Sequence, residues 1–206
     1  MPVSRALNTP LSLALLALVA EGPRHPYDMM STLRERRVDE LVRMRGGSLY
    51  DAIARLVKAG LVSECGVGQT GSRPEHTVYS ITPPGEMRLR ELVTEFLGTP
   101  VNEYPRFPAA LAHILVMAPG EAAALLRGRA QHLETLAAQS ERELRTAPDA
   151  LPRVVTLEIE YLQRMRKCES EWLREVAAEI DSGQITWLKP AASETSDQRS
   201  TNENEQ

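Results

Sequence analysis

Hydrophobic positions near the start of the chain predict a buried helix. Four apolar residues recur at the three- and four-residue spacing of one helix face; they are Leu11, Ala14, Leu15 and Leu18. Pro10 suits the first turn of this helix, and either Asn8 or Thr9 can cap it. The run 11–20 also has the length of a signal peptide's apolar core, but only Arg5 precedes it and no clean cleavage site follows. We therefore expect a buried first helix.

The pattern predicts two more helices before residue 60. The second extends from Pro26 to about Arg37, and the segment 38–45 fits either a turn of helix or a loop. The third extends over about 47–59 and ends at Gly60, a residue type that favours the left-handed position after a helix. Its apolar stripe consists of Leu49, Ile53, Leu56 and Val57. The side facing away from this stripe is predicted to carry Ser48, Asp51, Ala52 and Arg55.

A β-hairpin and a fourth helix are predicted next. Residues 61–65 and the run around Val78 and Ile81 have the composition of short strands. The residues predicted to keep the long tip between them irregular are Gly66, Gly68, Gly71 and Pro74. The sequence Pro83-Pro84-Gly85 predicts a break, and a helix over about 86–97 follows it. The inward side chains of this helix are predicted to be Leu89, Leu92, Val93, Phe96 and Leu97.

The second half of the chain has a helical pattern throughout. Helices are expected at about 109–117, 121–145 and 153–181. The face of the second is assigned to Leu126, Leu133, Leu136, Ser140 and Leu144, and that of the third to Ile159, Leu162, Met165, Trp172, Val176 and Ile180. Long helices with apolar positions near a seven-residue spacing seldom bury themselves alone, so we expect a second copy of the chain as partner.

These elements predict a mostly α fold with a small β-hairpin wing, namely a winged helix-turn-helix followed by a helical dimerisation domain. The Gly- and Pro-rich stretch after the fourth helix places the domain boundary. The expected domains are 1–98 for DNA binding, 99–188 for dimerisation and a possible effector, and 189–206 as a disordered polar tail.

Charge supports a local nucleic-acid surface. The whole chain has a net charge of −4, which argues against indiscriminate coating of nucleic acid. Residues 34–58 nevertheless contain 7 Lys and Arg against 4 Asp and Glu, a local net charge of +3. The two cysteines, Cys65 and Cys168, have no metal-site or disulfide spacing and favour a reducing compartment. With no apolar run long enough to span a bilayer, a cytoplasmic protein is expected.

The first 97 residues resemble the PadR family of bacterial transcriptional regulators. The matching residues, in order, are the leucine-rich opening helix, His25-Pro26-Tyr27-Asp28, Gly47-Ser48-Leu49-Tyr50, Leu56, Gly60-Leu61-Val62 and Tyr79-Ser80-Ile81-Thr82-Pro83-Pro84-Gly85. The arrangement resembles the longer branch of the family, in which a helical C-terminal domain makes the dimer. This resemblance implies a homodimeric repressor that binds an inverted-repeat operator and is often released by a small molecule. The wing carries only one basic residue, Arg73, fewer than many relatives have.

The third helix and the residue just upstream of it hold the first candidate DNA contacts, since the N-terminal half of such a helix meets base edges in the major groove. They are Arg45, Ser48, Tyr50, Asp51 and Arg55. Three of them have a simpler alternative role. Ser48 could be only a helix cap, Tyr50 only a packing residue, and Arg55 only a solvated side chain. On the second helix, the cluster of Arg34, Arg36 and Arg37 fits phosphate contacts or a plain charged helix end.

The wing and the C-terminal half supply the remaining candidates. Gln69, Thr70, Ser72 and Arg73 could approach the adjacent minor groove or backbone, and Arg73 is favoured by the negative potential there. Tyr79 is expected to pack. Trp172 and Trp187 could line an effector pocket, although core or interface packing is the simpler expectation.

Enzyme chemistry is not predicted. The four histidines are scattered without metal-ligand spacing, and no nucleophile, phosphate-loop or dinucleotide motif is present. No cofactor or metal is therefore expected. The alternative function is a winged-helix protein-interaction module that has lost DNA binding, which the poorly charged wing and the negative total charge keep open.

Overall fold

The computed structural model describes residues 5–38, 41–42, 47–68, 76–146 and 152–188. It divides the chain into two compact units whose boundary falls between Asn102 and Glu103. The described elements are mostly helices with one two-stranded antiparallel sheet, which confirms the predicted fold class. The proposed tail, 189–206, lies outside the described residues.

The described part of the N-terminal unit contains four α-helices and the hairpin. A 3-10 turn at Arg5–Leu7 precedes them, and the bounds are α1 Pro10–Glu21, α2 Pro26–Glu35, α3 Ser48–Lys58, β1 Val62–Gly68, β2 His76–Ile81 and α4 Pro83–Gly98. Of the two candidate caps of α1, Thr9 has this role, because its side chain accepts a hydrogen bond from the Ser12 amide at 3.1 Å. The core is aliphatic, and its fully buried large side chains are Leu15, Leu16, Met29, Leu33, Leu49, Leu56 and Leu92.

The hairpin begins as expected but is longer and bulged. β1 pairs with β2 from Val62 opposite Ile81 to Gly68 opposite His76, so the prediction that Gly66 and Gly68 lie outside regular structure is wrong. The register shifts between Glu64 and Gly66, which makes Cys65 the extra residue of a β-bulge. Gly66 has φ +154°, a conformation that L side chains rarely adopt, and this explains why a glycine stands there.

Helix α4 starts three residues earlier than the pattern predicted. Pro83 and Pro84 form its first turn, where a missing amide hydrogen has no consequence, rather than a break. The Thr82 hydroxyl caps the helix by accepting from the Gly85 amide at 3.2 Å, and it donates to the Gly60 carbonyl at 2.6 Å. A Cβ on Gly85 would lie 2.0 Å from the Leu61 carbonyl oxygen, so only glycine fits this approach.

The outer side of α4 was assigned incorrectly. Leu92 is fully buried, but Val93, Phe96 and Leu97 are exposed, Leu97 by 84%. Arg88 takes the inward position instead and pairs with Glu91 at 2.9 Å. Its long apolar stem lets a charged residue fill a mostly buried site while the guanidinium reaches a carboxylate.

The C-terminal unit is a long helical hairpin preceded by short helical segments. Its elements are α5 Arg106–Leu111, a 3-10 turn at Ile114–Val116, α6 Pro119–Thr146, a second 3-10 turn at Arg153–Thr156 and α7 Leu157–Asp181. The expected single helix at 109–117 is therefore two short pieces. Small residues let α6 and α7 approach closely, and the buried set is Ala123, Leu126, Ala130, Leu173, Ala177 and Ile180. Among the described helices, none combines the length and apolar composition that crossing a bilayer needs.

Candidate nucleic-acid interface

Helix α3 is fixed by one face and by its C-terminal end. Leu49, Ala52, Ile53 and Leu56 are buried in the core of the N-terminal unit. The helix ends in a paired arrangement in which the Gly60 amide donates to the Val57 carbonyl at 2.9 Å and the Leu61 amide donates to the Leu56 carbonyl at 3.0 Å. Gly60 has φ +69°, the left-handed conformation predicted from the sequence. A helix held in this way presents its opposite side in a fixed orientation.

The outer face of α3 consists of Tyr50, Asp51, Ala54, Arg55 and Lys58, all exposed. Ala52 was predicted on this side, but only 1% of it is exposed. Ala54 and Lys58 were missed, although a three- and four-residue step from Asp51 through Arg55 leads to both positions. The face therefore holds one acidic residue, two basic residues and a phenol.

Ser48 does not cap α3. Gly47 occupies the cap position and makes no side-chain cap bond, while Ser48 is the first helical residue and is half-buried. Helix capping therefore does not explain why a serine occupies position 48. The hydroxyl stands in the first turn, where backbone amides of a helix favour anions.

The charged side chains on the outer face of α3 are unpaired in the described chain, whereas charged side chains near α2 form ion pairs. Among the described residues, the side chains of Asp51, Arg55 and Lys58 make no hydrogen bond or ion pair. On α2 and its flank, by contrast, the Glu21 carboxylate accepts hydrogen bonds from both terminal guanidinium nitrogens of Arg36 and also pairs with Arg24 at 2.8 Å. Arg36 is thus held by a carboxylate of its own unit, which makes it less available to phosphate.

Two pKa shifts in the N-terminal unit have clear causes. The hydrogen bond from Arg36 lowers the pKa of the Glu21 carboxyl, and the charges of Arg36 and Arg24 add to this effect. Burial raises the pKa of the Tyr79 phenol, and the charge of Glu64 adds to it. Tyr79 is half-buried against the core, and its backbone pairs with Arg24 in an isolated bridge, so it packs as expected.

Five of the predicted DNA contacts cannot be placed. Arg45, Gln69, Thr70, Ser72 and Arg73 all lie outside the described residues. The described part of the hairpin includes the bulge at Cys65, whose thiol donates weakly to the Val78 carbonyl, with 3.5 Å between sulfur and oxygen. The contribution of the wing therefore stays a prediction.

Trp172 and Trp187 occupy different surroundings within the C-terminal unit. Trp187 donates its indole N–H to the Met117 carbonyl at 2.9 Å and packs against the α6/α7 core. Trp172 is 43% exposed, and its ring meets the edge of Phe107 with 6.4 Å between centroids. The Arg129 guanidinium lies 4.1 Å over the other ring, that of Phe107, and Arg129 also pairs with Glu169 at 2.7 Å. Packing within the chain accounts for Trp187, whereas Trp172 keeps a large exposed part, and the effector role of both stays a prediction.

Metal chemistry has no candidate in the part of the chain that the structure describes. No group of three His, Cys, Asp or Glu residues there could hold a metal ion. The features that stand out are instead the unpaired outer face of α3 and the exposed apolar side chains of α7.

Part of the N-terminal unit matches a protein-family model. Residues 15–91 match the family described as "Transcriptional regulator PadR-like family". This match starts within α1 and ends within α4, so it includes α2, α3 and the hairpin. No curated protein matches the chain.

Solved structures share the fold over most of the chain. The crystal structure of Bacillus subtilis PadR in complex with operator DNA has a TM-score of 0.69 and 19% identity, covering 86% of this chain and 100% of that one. The same protein in complex with p-coumaric acid has a TM-score of 0.65 and 20% identity, covering 86% and 99%. A PadR-like transcriptional regulator from Bacillus cereus has a TM-score of 0.59 and 13% identity, covering 82% and 97%. At these identities the similarity establishes the fold, and it extends beyond the matched domain into the C-terminal unit.

Proposed function

Since residues 15–91 form a PadR-like domain, we propose that this protein is a cytoplasmic, homodimeric, sequence-specific transcriptional repressor that binds an inverted-repeat operator. The observation that carries the proposal is the outer face of α3. It is exposed, it is held rigidly by the core, and its basic residues Arg55 and Lys58 have no partner in the described chain. Unpaired basic side chains on a helix that can enter the major groove are able to bind the phosphates and base edges of a DNA duplex.

The residues of α3 suit different parts of the duplex. Tyr50 is 51% exposed, and its hydroxyl can reach the phosphate backbone from the start of the helix. Arg55 lies one turn further and can bind either a phosphate or the O6 and N7 atoms of guanine. Lys58 at the helix end is a point charge suited to phosphate. Ser48, Asp51, Arg45 and the wing residues Gln69, Thr70, Ser72 and Arg73 complete the proposed interface.

Dimerisation is supported by an apolar stripe on α7. Leu157, Tyr161, Met165, Cys168 and Trp172 follow one another at three- and four-residue steps and are all exposed. These five side chains form a continuous apolar surface along a 25-residue helix, unlike the isolated apolar residues that are common on protein surfaces. A second copy would cover it with the same stripe around a two-fold axis. Two α3 helices could then enter successive major grooves about 34 Å apart.

Control by a small molecule is the remaining part of the proposal. One crystal structure of Bacillus subtilis PadR is a complex with p-coumaric acid, and that observation concerns that protein. For this chain, an effector would act by favouring one spacing of the two α3 helices over another, because a ligand without such a preference shifts no equilibrium. Trp172 and Trp187 are intrinsic reporters of such binding, since both tryptophans lie in the C-terminal unit.

Binding to the DNA upstream of the protein's own gene tests the proposal. We expect a shifted complex whose affinity falls with salt, with a log–log slope of about −0.9 per phosphate contact. Replacing Tyr50 and Arg55 together by alanine should abolish the complex and leave the dimer intact. A matched control is Arg142→Ala, which removes an exposed arginine from α6. Normal operator binding by the double variant would refute the assignment of α3, and no DNA binding at any salt would favour the protein-interaction module.

A further inference from the structure

Asp51 places a negative charge on the face proposed to meet DNA. It is exposed, and it precedes Arg55 by four residues on the same side of α3. An acidic residue four positions before a basic one is the favourable order for an ion pair on a helix. No such pair forms here among the described residues. Elsewhere the chain closes pairs at this spacing, between Glu141 and Arg145 at 2.8 Å and between Lys167 and Glu171 at 3.9 Å.

The contribution of Asp51 to helix stability does not fully explain why a carboxylate occupies this position. An acidic residue in the first turn is favoured by the helix dipole, typically by about 0.3–1 kcal/mol. The Asp51 side chain, however, accepts no hydrogen bond from the free amides of the helix start, and its own backbone amide is satisfied by the Gly47 carbonyl at 3.1 Å. Asparagine, serine or glutamine would suit this exposed position in a helix without an unpaired charge this close to the proposed DNA surface.

A carboxylate near a duplex lowers affinity for every sequence unless a base supplies a hydrogen-bond donor. In the major groove guanine presents two acceptors, thymine an acceptor and a methyl group, and adenine a donor beside an acceptor. Cytosine presents its N4 amino group, the donor to which Asp and Glu side chains typically bind. We therefore infer that Asp51 is a specificity-determining residue that reads one cytosine in each operator half-site, an inference that rests on the proposed DNA-binding function.

Exchanging this carboxylate for its amide tests the inference. Asp51→Asn preserves shape and removes the charge, and an asparagine side chain can pair with the N6 and N7 atoms of adenine. Selection of binding sites from a random library, followed by titration of single-base variants, should show cytosine at one position per half-site for the native protein. In Asp51→Asn that preference should shift to adenine or vanish, with discrimination changing about 5- to 150-fold, the equivalent of 1–3 kcal/mol for one base contact.

Two further variants separate this role from its alternatives. Asp51→Ala should lose the preference without gaining another, and it should bind unrelated DNA more tightly than the native protein. Lys58→Gln serves as the matched charge control, because removing a phosphate contact weakens binding uniformly across sequences and leaves the base preference intact. Thermal unfolding of the Asp51 variants measures how much Asp51 contributes to the stability of the helix.

The outcomes are distinguishable. If the native protein selects no DNA sequence, the proposed function fails and the inference fails with it. If the native protein selects an operator and Asp51→Asn and Asp51→Ala select the same one with unchanged base preferences, the inference alone is overturned.

Discussion

Helices α3 and α7 both leave one side uncovered, but the two uncovered sides have opposite character. The outer face of α3 carries charged side chains and a phenol, and its charges are unpaired in the described chain. The apolar stripe of α7 is hydrophobic. Many of the charges beside it are engaged with α6, through Arg174 with Glu134, Arg129 with Glu169 and Arg127 with Asp181.

This difference separates two kinds of partner. Ion pairs within the α6/α7 hairpin neutralise charge locally, so the surface that remains attracts apolar side chains and suits another protein. Unpaired charges on α3 leave a field that a polyanion can satisfy. The pairing of surface charges is therefore as informative as their number, and it explains how a chain with net charge −4 can present a nucleic-acid surface.

The largest expected effect is a loss of stability in the N-terminal unit, which holds α3. It tests whether this unit unfolds independently of the α6/α7 hairpin. In Gly85→Ala the new Cβ would lie 2.0 Å from the Leu61 carbonyl oxygen and 2.8 Å from Ile81 Cγ1. Overpacking of this kind costs about 1–3 kcal/mol or more, here in the N-terminal unit. Both tryptophans lie in the C-terminal unit, so circular dichroism should show an earlier transition while the tryptophan fluorescence transition is retained.

Gly98→Ala is the control for that variant. Gly98 ends the same helix, and a Cβ there meets nothing within 4 Å. Its unfolding should match that of the native protein. If both signals shifted together in Gly85→Ala, the two units would not unfold independently, and the comparison of α3 with α7 as separate surfaces would lose its basis.

The second effect concerns the partner of α7. Met165→Glu introduces a charge at the middle of the apolar stripe and should weaken self-association about tenfold or more, because an unpaired charge would be buried in the dimer. Analytical ultracentrifugation over a concentration series measures the change. Ala178→Glu adds the same charge at an exposed position of α7 outside the stripe and should leave association unchanged. Equal weakening by both variants would show that the stripe is not the contact.

Sequence patterns predicted α3 well because its signals are local. The spacing of Leu49, Ile53 and Leu56 defines the buried face, and Gly60 ends the helix as expected. Ala52 was misplaced since alanine is compatible with either side, and only its neighbours in the core decide its burial. The face of α3 follows from the sequence, whereas its contacts with DNA are still a prediction.

Errors elsewhere arise from contacts that are distant in sequence. Gly85 resembles part of a turn, and its real constraint is the Leu61 carbonyl, which no local pattern contains. Leu97 is apolar at helical spacing and was expected to point inward, yet it is 84% exposed, and Trp172, assigned to the apolar face of the last helix, is 43% exposed. Periodicity shows that a residue belongs to an apolar stripe and does not show whether the chain itself covers that stripe.

A smaller effect tests the pairing of charges within the C-terminal unit. Glu169→Gln removes the ion pair with Arg129 but leaves the guanidinium over the Phe107 ring. The side chains of Arg129 and Glu169 are 41% and 33% exposed, so the expected loss in unfolding free energy is about 0.2–1 kcal/mol and should diminish with added salt. Glu175→Gln is the control, because Glu175 is exposed on α7 and has no ion pair among the described residues. A loss of the same size in both variants would assign the effect to net charge.

The smallest expected effect is the pH dependence of the Glu21 pairs in the N-terminal unit. Arg36 lowers the pKa of Glu21 below its ordinary value of 4.5, so the charged carboxylate stabilises the folded state. A group with a lowered pKa contributes fully above the unfolded value and loses its contribution as the pH falls through the folded value. The melting temperature of Glu21→Gln should therefore be slightly lower than that of the native protein at pH 7, and the two should converge as the pH falls below about 4.5. A difference that persisted unchanged in acid would mean that packing of the Glu21 side chain, and not its charge, holds Arg36 against α1.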